Sequence, residues 1–361
     1  MKKASSLLLA LVIVMALLMI PAMAADYSGA IGGFATSSKS TYNSGIFSDI
    51  DENAWYGANE QGVIQKLYEL QIMNGKGDGT FDPAGNITIA EAVKMAAVVH
   101  DIYNGGDGVF TQSALWYQVY VDYAIASGVI DAESFGAEYE RTATRREMAA
   151  IFANCVPAEV LPEINKVVYL PDVEETREWL EESLLYGDDI FMLYRAGVLT
   201  GSDSMGQFRP YDYITRAEAA AIICRVVLPA QRKTLNLSQV VVNGDYVTDE
   251  LLAGYDAFEE FIEFDEERYL KIMIMTNMTI KNFKFIEVAL SPDDEDGILE
   301  EKSVRYSLGE LSPDKPFVVT WLEIGSIPHR GISFVDEKNV TRYFSISMSG
   351  LDGSLRLVEF F

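Results

Sequence analysis

The sequence predicts an α + β multidomain protein, in which an all-α repeat module is followed by a β-rich, sandwich-like C-terminal domain. A helix–turn–helix pattern recurs three times between about residue 45 and residue 230. After residue 231 the apolar residues alternate in short runs separated by turn signals, a pattern typical of β-strands. With 49% hydrophobic residues, the chain of 361 residues has enough apolar side chains for a sizeable core.

The N-terminus has the features of a secretory signal. Two lysines precede an uncharged apolar run over 7–20, and an Ala-x-Ala motif ends at Ala24. The alternative is a retained membrane anchor, which would need about twenty apolar residues. Because the run is shorter than that, the sequence predicts a cleaved signal peptide over 1–24, a linker over 25–44 and no membrane span after cleavage.

The chain is strongly acidic, with a formal net charge of −26 at pH 7. This charge argues against nucleic acid as a partner, because phosphates require a basic surface. Any anionic ligand would have to be met by locally concentrated arginines. The only cysteines, Cys155 and Cys224, lie in apolar helical runs, which favours buried free thiols over a disulfide.

The repeated pattern is clearest in the first and third copies. The first copy starts with Phe-Ser-Asp at 47–49, passes a glycine-rich turn ending in Phe-Asp-Pro at 81–83, and opens its second helix at 87–91. The third copy has the corresponding Phe-Arg-Pro at 208–210 and Ile-Thr-Arg-Ala-Glu at 214–218. The second copy keeps Ala-Thr-Arg-Arg-Glu but lacks the Asp-Gly turn. The predicted units span 45–104, 105–165 and 166–230, and the C-terminal domain spans 231–361.

Each unit opens its second helix with a Thr-x-x-Glu capping box, which satisfies free backbone amides of the first turn. The three pairs are Thr88 with Glu91, Thr144 with Glu147, and Thr215 with Glu218. Arg145 and Arg216 follow the threonine, where the helix dipole disfavours a cation. Two interpretations remain open: the arginines line an anion-binding groove, or they pair with nearby acidic side chains. Under the first, replacing Arg216 by alanine weakens binding and leaves the fold intact.

These motifs resemble those of the S-layer homology family, which has an F-x-D start, a G-x-x-D-G-T-F-x-P turn and an I-T-R-A-E helix opening. The resemblance covers roughly residues 45–230. It implies a pseudo-threefold bundle of three helical prongs. It also implies non-covalent binding of an anionic, commonly pyruvylated secondary cell wall polysaccharide, a peptidoglycan-linked glycan, in grooves between the prongs. The expected location is the cell wall or cell surface of a bacterium.

The resemblance assigns polysaccharide-binding positions residue by residue. Two differences from the family pattern stand out. Ile89 replaces the arginine in the first copy, so a groove that relies on this residue is expected to be weak. Trp116 lies about one helical turn out of register with Trp55, so its equivalence is doubtful. The assigned positions are Arg145, Arg216, Asp49, Asp172, Trp55, Trp179, Gly75 and Gly201.

The C-terminal domain offers no recognisable catalytic set. One helix is predicted over 251–264, followed by several short strands that suggest a sandwich. Its one histidine, His329, belongs to no Ser/His/Asp, Cys/His or metal-ligand arrangement, and the acidic run 293–296 is most simply a solvated loop. The sequence therefore predicts no enzyme, catalytic residue, metal or cofactor. The alternatives are a surface glycan or peptide hydrolase that uses the repeats only as an anchor, and a self-assembling S-layer lattice subunit.

Overall fold

The computed structural model describes most of the chain after the predicted signal peptide. Residues 1–24 and Trp179 lie outside the described part. No helix within the described residues is both long and apolar enough to cross a membrane. The described ranges are 27–37, 40–57, 62–111, 114–167, 170–173, 187–237, 239–263, 269–291, 299–322, 328–348 and 355–360.

Within the described residues, the N-terminal region is built around six α-helices. The second helices are rich in alanine, and Ala92, Ala96 and Ala219 are fully buried, which lets neighbouring helices approach closely. The α-helices are α1 (Val63–Glu69), α2 (Ile89–Tyr103), α3 (Gln118–Ala126), α4 (Arg145–Ala153), α5 (Gly187–Arg195) and α6 (Arg216–Val227). Short 3₁₀-helices span Gly32–Ala35, Ala158–Val160 and Pro229–Gln231.

The helices pair across the sequence units. The first helix of one unit packs on the second helix of another, so that α1 contacts α6, α3 contacts α2, and α5 contacts α4. One continuous hydrophobic core joins all six helices. The stretch 27–37, within the segment assigned to a linker, contributes buried Tyr27, Ile31 and Phe34 to this core.

The prediction of an all-α pseudo-threefold repeat module is wrong, because β-bridges join the segments before the capped helices. Asn86 bridges Thr215, Thr88 bridges Thr142, and Thr144 bridges Tyr213, which closes a ring of three bridges. An N-cap residue has an extended backbone (Thr88 has φ −93° and ψ 163°), so these segments expose amides and carbonyls to one another. Helical periodicity does not report such short extended pairs.

The C-terminal region is β-rich, as the alternating pattern predicts. It adds one short helix, α7 (Asp249–Ala253), so the predicted helix over 251–264 is wrong: its second half is strand β2. The described part of this region has nine strands: β1 (Val242–Tyr246), β2 (Glu259–Ile262), β3 (Leu270–Thr276), β4 (Ile280–Leu290), β5 (Leu299–Leu311), β6 (Phe317–Trp321), β7 (Arg330–Val335), β8 (Thr341–Met348) and β9 (Leu355–Phe360).

The strands form two sheets that enclose a hydrophobic core. The four-stranded sheet has the order β1-β3-β6-β2, and the five-stranded sheet has the order β5-β4-β7-β8-β9. Pairing is antiparallel except between β2 and β6. Phe285, Phe317 and Trp321 are fully buried between the sheets, and the ring of Phe285 lies 5.7 Å from that of Trp321. This aromatic core explains why the two sheets pack face to face.

The C-terminal domain contacts the third unit through a buried asparagine. Asn277 Nδ2 donates hydrogen bonds to the carbonyl oxygens of Met205 and Gln239, each at 3.0 Å. Its Oδ1 accepts a hydrogen bond from Val241 N at 2.8 Å. Lys166 adds an exposed ion pair to Asp314 at 3.2 Å. These contacts fix the domain against the glycine-rich turn of the third unit.

Candidate functional site

Arg216 lies at the start of α6 and is inserted into the first unit. Its Nε donates a hydrogen bond to the carbonyl oxygen of Phe81 at 2.8 Å, and its Nη1 donates to Glu91 Oε1 at 2.7 Å. The guanidinium also lies over the Phe81 ring, 5.1 Å from its centroid. The residue is only 3% exposed. Arg216 therefore joins the helix of the third unit to the turn and the capping glutamate of the first.

Arg145 repeats this arrangement between the second and third units. Its Nε donates to the carbonyl oxygen of Phe208 at 2.7 Å, and its Nη1 donates to Glu218 Oε1 at 3.2 Å. The guanidinium lies 5.2 Å from the Phe208 ring centroid. The side chain of Glu218 is 40% exposed, against 18% for Glu91, so this ion pair is the more solvated of the two.

The second unit keeps the ion pair but takes its arginine from a different place. Ile89, which stands where the other helices have arginine, is fully buried, and its N–H donates to the carbonyl oxygen of Arg141 at 3.0 Å. Arg141 in turn donates two hydrogen bonds to Glu147, at 3.0 and 2.6 Å. Arg141 was not among the predicted site residues, because the sequence does not show that Glu147 depends on the position of Ile89 in another unit.

The three predicted capping boxes are present, and each glutamate also holds an arginine. Although burial opposes ionisation of Glu91, the Lys76 ammonium and the Arg216 guanidinium lower the pKa of this carboxyl below its ordinary value. The pKa of Glu147 is lowered for the same kind of reason, with Arg141 as its cationic partner. Each glutamate thus caps a helix and neutralises a cation at once.

The geometry places the predicted arginines in buried, hydrogen-bonded positions. Each guanidinium is held by a hydrogen bond to a backbone carbonyl and by an ion pair to a glutamate. Removing one partner of such a pair would leave the other charge uncompensated. Arg145 and Arg216 therefore act on the frame of the site through Glu218 and Glu91. Direct contact between either arginine and a ligand stays a prediction.

The predicted aspartates and glycines brace the turns. Asp49 accepts hydrogen bonds from Phe81 N at 2.8 Å and Asp82 N at 2.7 Å. Asp172 does the same for the third-unit turn, from Phe208 N at 2.8 Å and Arg209 N at 2.6 Å.

Gly75 and Gly201 meet a steric requirement in the two turns. A Cβ at Gly75 would lie 2.4 Å from the Phe47 ring, and Gly201 has a φ of +82°. Both positions therefore favour a residue without a side chain.

A groove lies beside Arg216, with a cavity volume of about 80 Å³. The predicted Trp55 is not among its lining residues; it is 54% exposed and its ring packs against Tyr56. The groove instead contains Trp116, the tryptophan of doubtful equivalence, which is 40% exposed. The lining residues are Ile72, Met73, Asn74, Gly75, Lys76, Glu91, Lys94, Met95, Trp116 and Arg216.

The groove is lined by three basic side chains and one carboxylate, that of Glu91. Lys76 Nζ lies 2.8 Å from Glu91 Oε1, and its side chain is 35% exposed. Lys94 Nζ lies 5.6 Å from the centroid of the Tyr120 ring. Burial and the charge of Arg216 lower the pKa of Lys94, and Lys94 has no ion pair among the described residues. With Arg216, the groove has three basic side chains and one acidic one in a strongly acidic protein.

The corresponding positions at Arg145 carry no lysine. Since Gly75 corresponds to Gly201 and Glu91 to Glu218, Lys76 and Lys94 correspond to Ser202 and Ala221. The backbone frame of the two sites is the same, but only the Arg216 site carries lysines at these two positions.

The capped helices and the cationic groove lie together in the N-terminal region. Residues 46–93, which supply the turn and most of this groove, match the family model of the S-layer homology domain. This match supports a relationship to that family, whose domains bind cell wall polysaccharides, and indicates association with the cell wall or cell surface.

Two relatives are similar to this chain over about half its length. The chain is 25% identical to the Exoglucanase XynX of Acetivibrio thermocellus over 185 residues, which are 49% of this chain and 16% of that protein. It is 26% identical to the Amylopullulanase of Thermoanaerobacterium thermosulfurigenes over 184 residues, 49% of this chain and 9% of that protein. The chain thus matches only a small part of each of these longer proteins.

Proposed function

We propose that this protein is exported and attaches non-covalently to the bacterial cell wall by binding an anionic secondary cell wall polysaccharide. The observation that carries the proposal is the groove at Arg216, where Lys76 and Lys94 flank the exposed indole of Trp116. In a chain of net charge −26, this local excess of cations suits an acid-bearing sugar.

The groove residues have distinct roles in this proposal. The two lysines meet the ligand's carboxylate, because each has donors that the frame does not fully use. The Trp116 indole offers an apolar face to a sugar ring. Arg216 is a positioning residue: it holds Glu91, and Glu91 holds Lys76 over the groove.

The finer features of the proposal rest on the motifs. Three S-layer homology repeats are proposed, of which the second has lost the Asp-Gly turn and the first has lost its arginine. The predicted signal peptide, secretion and a pyruvylated ligand belong to the same proposal. We propose that the C-terminal domain is displayed at the surface and is not an enzyme. The names of the two relatives favour glycan hydrolysis as the second candidate, and self-assembly into an S-layer lattice remains an alternative.

The test replaces the two lysines by the residues of the third unit. Because serine and alanine stand at these positions in a unit with the same backbone frame, Lys76→Ser with Lys94→Ala should keep the fold intact. Loss of the partly exposed Lys76–Glu91 ion pair should lower the free energy of unfolding by at most about 1 kcal/mol. Loss of two charge-assisted contacts should weaken binding to purified walls on the order of ten- to a hundredfold. The control is Lys302→Ala with Lys338→Ala, which removes the same charge from the C-terminal domain.

Two results would reject the proposal. If the Lys76/Lys94 variant bound walls as tightly as the unaltered protein, the groove would be excluded as the polysaccharide-binding site. Equal losses in this variant and in the Lys302/Lys338 control would show that only overall charge matters. The hydrolase alternative has its own test: release of soluble products from isolated walls by the full chain, abolished by a single carboxylate substitution.

A further inference from the structure

A second cationic and aromatic surface lies outside the groove, where the second unit meets the third. We define the tyrosine patch as Arg146, Tyr211 and Tyr213. The guanidinium of Arg146 lies 4.8 Å from the centroid of the Tyr211 ring. Tyr211 is 60% exposed and Tyr213 is 61% exposed, the latter in the β-bridge to Thr144, two residues before Arg146.

Arg146 differs from Arg145 and Arg216, the two arginines that begin helices, because it forms no ion pair among the described residues. Arg145 and Arg216 both bind capping glutamates. The Nε of Arg146 is buried without a hydrogen-bond partner among the described residues. An arginine without a carboxylate is unexpected in a chain with 54 acidic and 28 basic residues.

The fold does not require this patch. The N–H of Arg146 donates to the carbonyl of Pro210, as the N–H of Ala217 donates to that of Pro83, so the two positions are equivalent. By the same register, Tyr211 and Tyr213 correspond to Ala84 and Asn86 in the first unit. That unit forms the same kind of bridge, from Asn86 to Thr215, without any of the three side chains.

We infer that the tyrosine patch is a second binding site for an acid-bearing saccharide, separate from the lysine groove. A tyrosine ring packs against the apolar face of a sugar, and an adjacent guanidinium binds its carboxylate through parallel N–H donors. The patch adds to the proposed wall attachment, but its chemistry does not depend on the groove. Two sites on one chain would let one polymer bind twice, which raises its apparent affinity.

The experiment substitutes the patch with the residues of the equivalent positions, Arg146→Ala, Tyr211→Ala and Tyr213→Asn, in the full chain. The probe is the acidic polysaccharide fraction released from purified bacterial walls, with neutral dextran as a comparison. The patch variant should bind the acidic fraction about tenfold more weakly, with an unchanged melting temperature. Adding the patch substitutions to Lys76→Ser and Lys94→Ala should remove the binding that remains in that double variant.

The outcomes separate the patch from the groove. Unchanged affinity in the patch variant overturns the inference and leaves an ordinary surface pair of arginine and tyrosine. If the unaltered protein binds dextran and the acidic fraction equally well, the inference that the ligand must carry an acid group is overturned. Weaker binding in the patch variant together with normal binding in the lysine variant would support the patch and reject the groove.

Discussion

The sites at Arg216 and Arg145 share a backbone frame and differ in the side chains that surround it. In both, an aspartate braces the turn, a guanidinium crosses to a neighbouring unit, and a capping glutamate receives it. Only the Arg216 site adds Lys76 and Lys94; the other has Ser202 and Ala221. The comparison teaches that the motif residues build the frame, while positions outside the motif, such as those of Lys76 and Lys94, add positive charge to one site.

The largest expected effect concerns the frame. Arg216→Ala should lower the free energy of unfolding by about 3 kcal/mol, because it removes the Arg216 donor to Phe81 O and one of the two cations that pair with the shielded Glu91. Arg145→Ala should cost less, about 1–2 kcal/mol, since Glu218 is 40% exposed. Urea unfolding of both variants checks the difference.

This prediction revises the expectation from the sequence, that Arg216→Ala weakens binding with an intact fold. A variant that melts normally and yet loses wall binding would restore the earlier interpretation, in which the guanidinium itself contacts the ligand. Arg216→Lys is the matched control, because it keeps a charge near Glu91 but loses the Nε donor to Phe81 O.

The next effect is a gain of binding. Ser202→Lys should give the Arg145 site a cation at the position of Lys76, and wall affinity should rise severalfold; Ala221 is left unchanged because it is buried in the core. The same substitution in the Lys76→Ser and Lys94→Ala background should restore part of the lost binding. Binding isotherms on purified walls measure both. No gain in either background would mean that the two grooves differ in more than charge.

A smaller effect is expected at the second unit, where Arg141 replaces the missing arginine. Arg141→Ala should lower the free energy of unfolding by about 1 kcal/mol, because its two hydrogen bonds to Glu147 are lost but its side chain is 37% exposed. The control for loss of a surface cation is Lys338→Ala. Arg305→Ala is unsuitable, because Arg305 forms an ion pair with Glu263. A loss as large as that of Arg216→Ala would contradict the ranking.

Features that depend on residues close together in the sequence were predicted correctly. The Thr-x-x-Glu spacing predicted three capping boxes, and all three are present because both hydrogen bonds lie within one helical turn. Alternating apolar residues predicted the β-rich C-terminal region. The segment 251–264 was assigned to one helix because short apolar runs fit both periods; pairing of Glu259–Ile262 with β6 decides for a strand.

Contacts between units could not be predicted in this way. Arg216 and Phe81 are 135 residues apart, so no spacing indicates that the arginine of one unit enters the turn of another. For the same reason the ring of β-bridges was missed, and with it the mixed character of the N-terminal region. In the sequence, Trp116 lies about one helical turn from the position that would match Trp55. The packing of α3 on α2 nevertheless brings Trp116 to the groove.

The smallest effect is a pH dependence of the ion pair between Arg141 and Glu147 in the second unit. Arg141 is the cation that, against the effect of burial, helps lower the pKa of Glu147 below its ordinary value of 4.5. A carboxyl whose folded pKa is depressed contributes stability above the unfolded pKa and loses it as pH falls through the folded value. The difference in unfolding free energy between the unaltered protein and Arg141→Ala should therefore be constant near pH 7 and shrink below about pH 4.5. Urea titrations at pH 7, 5 and 4 measure it, with Lys338→Ala as the control that should show no such trend. A difference that stays the same down to pH 4 would mean that Arg141 acts through packing and not through the charge of Glu147.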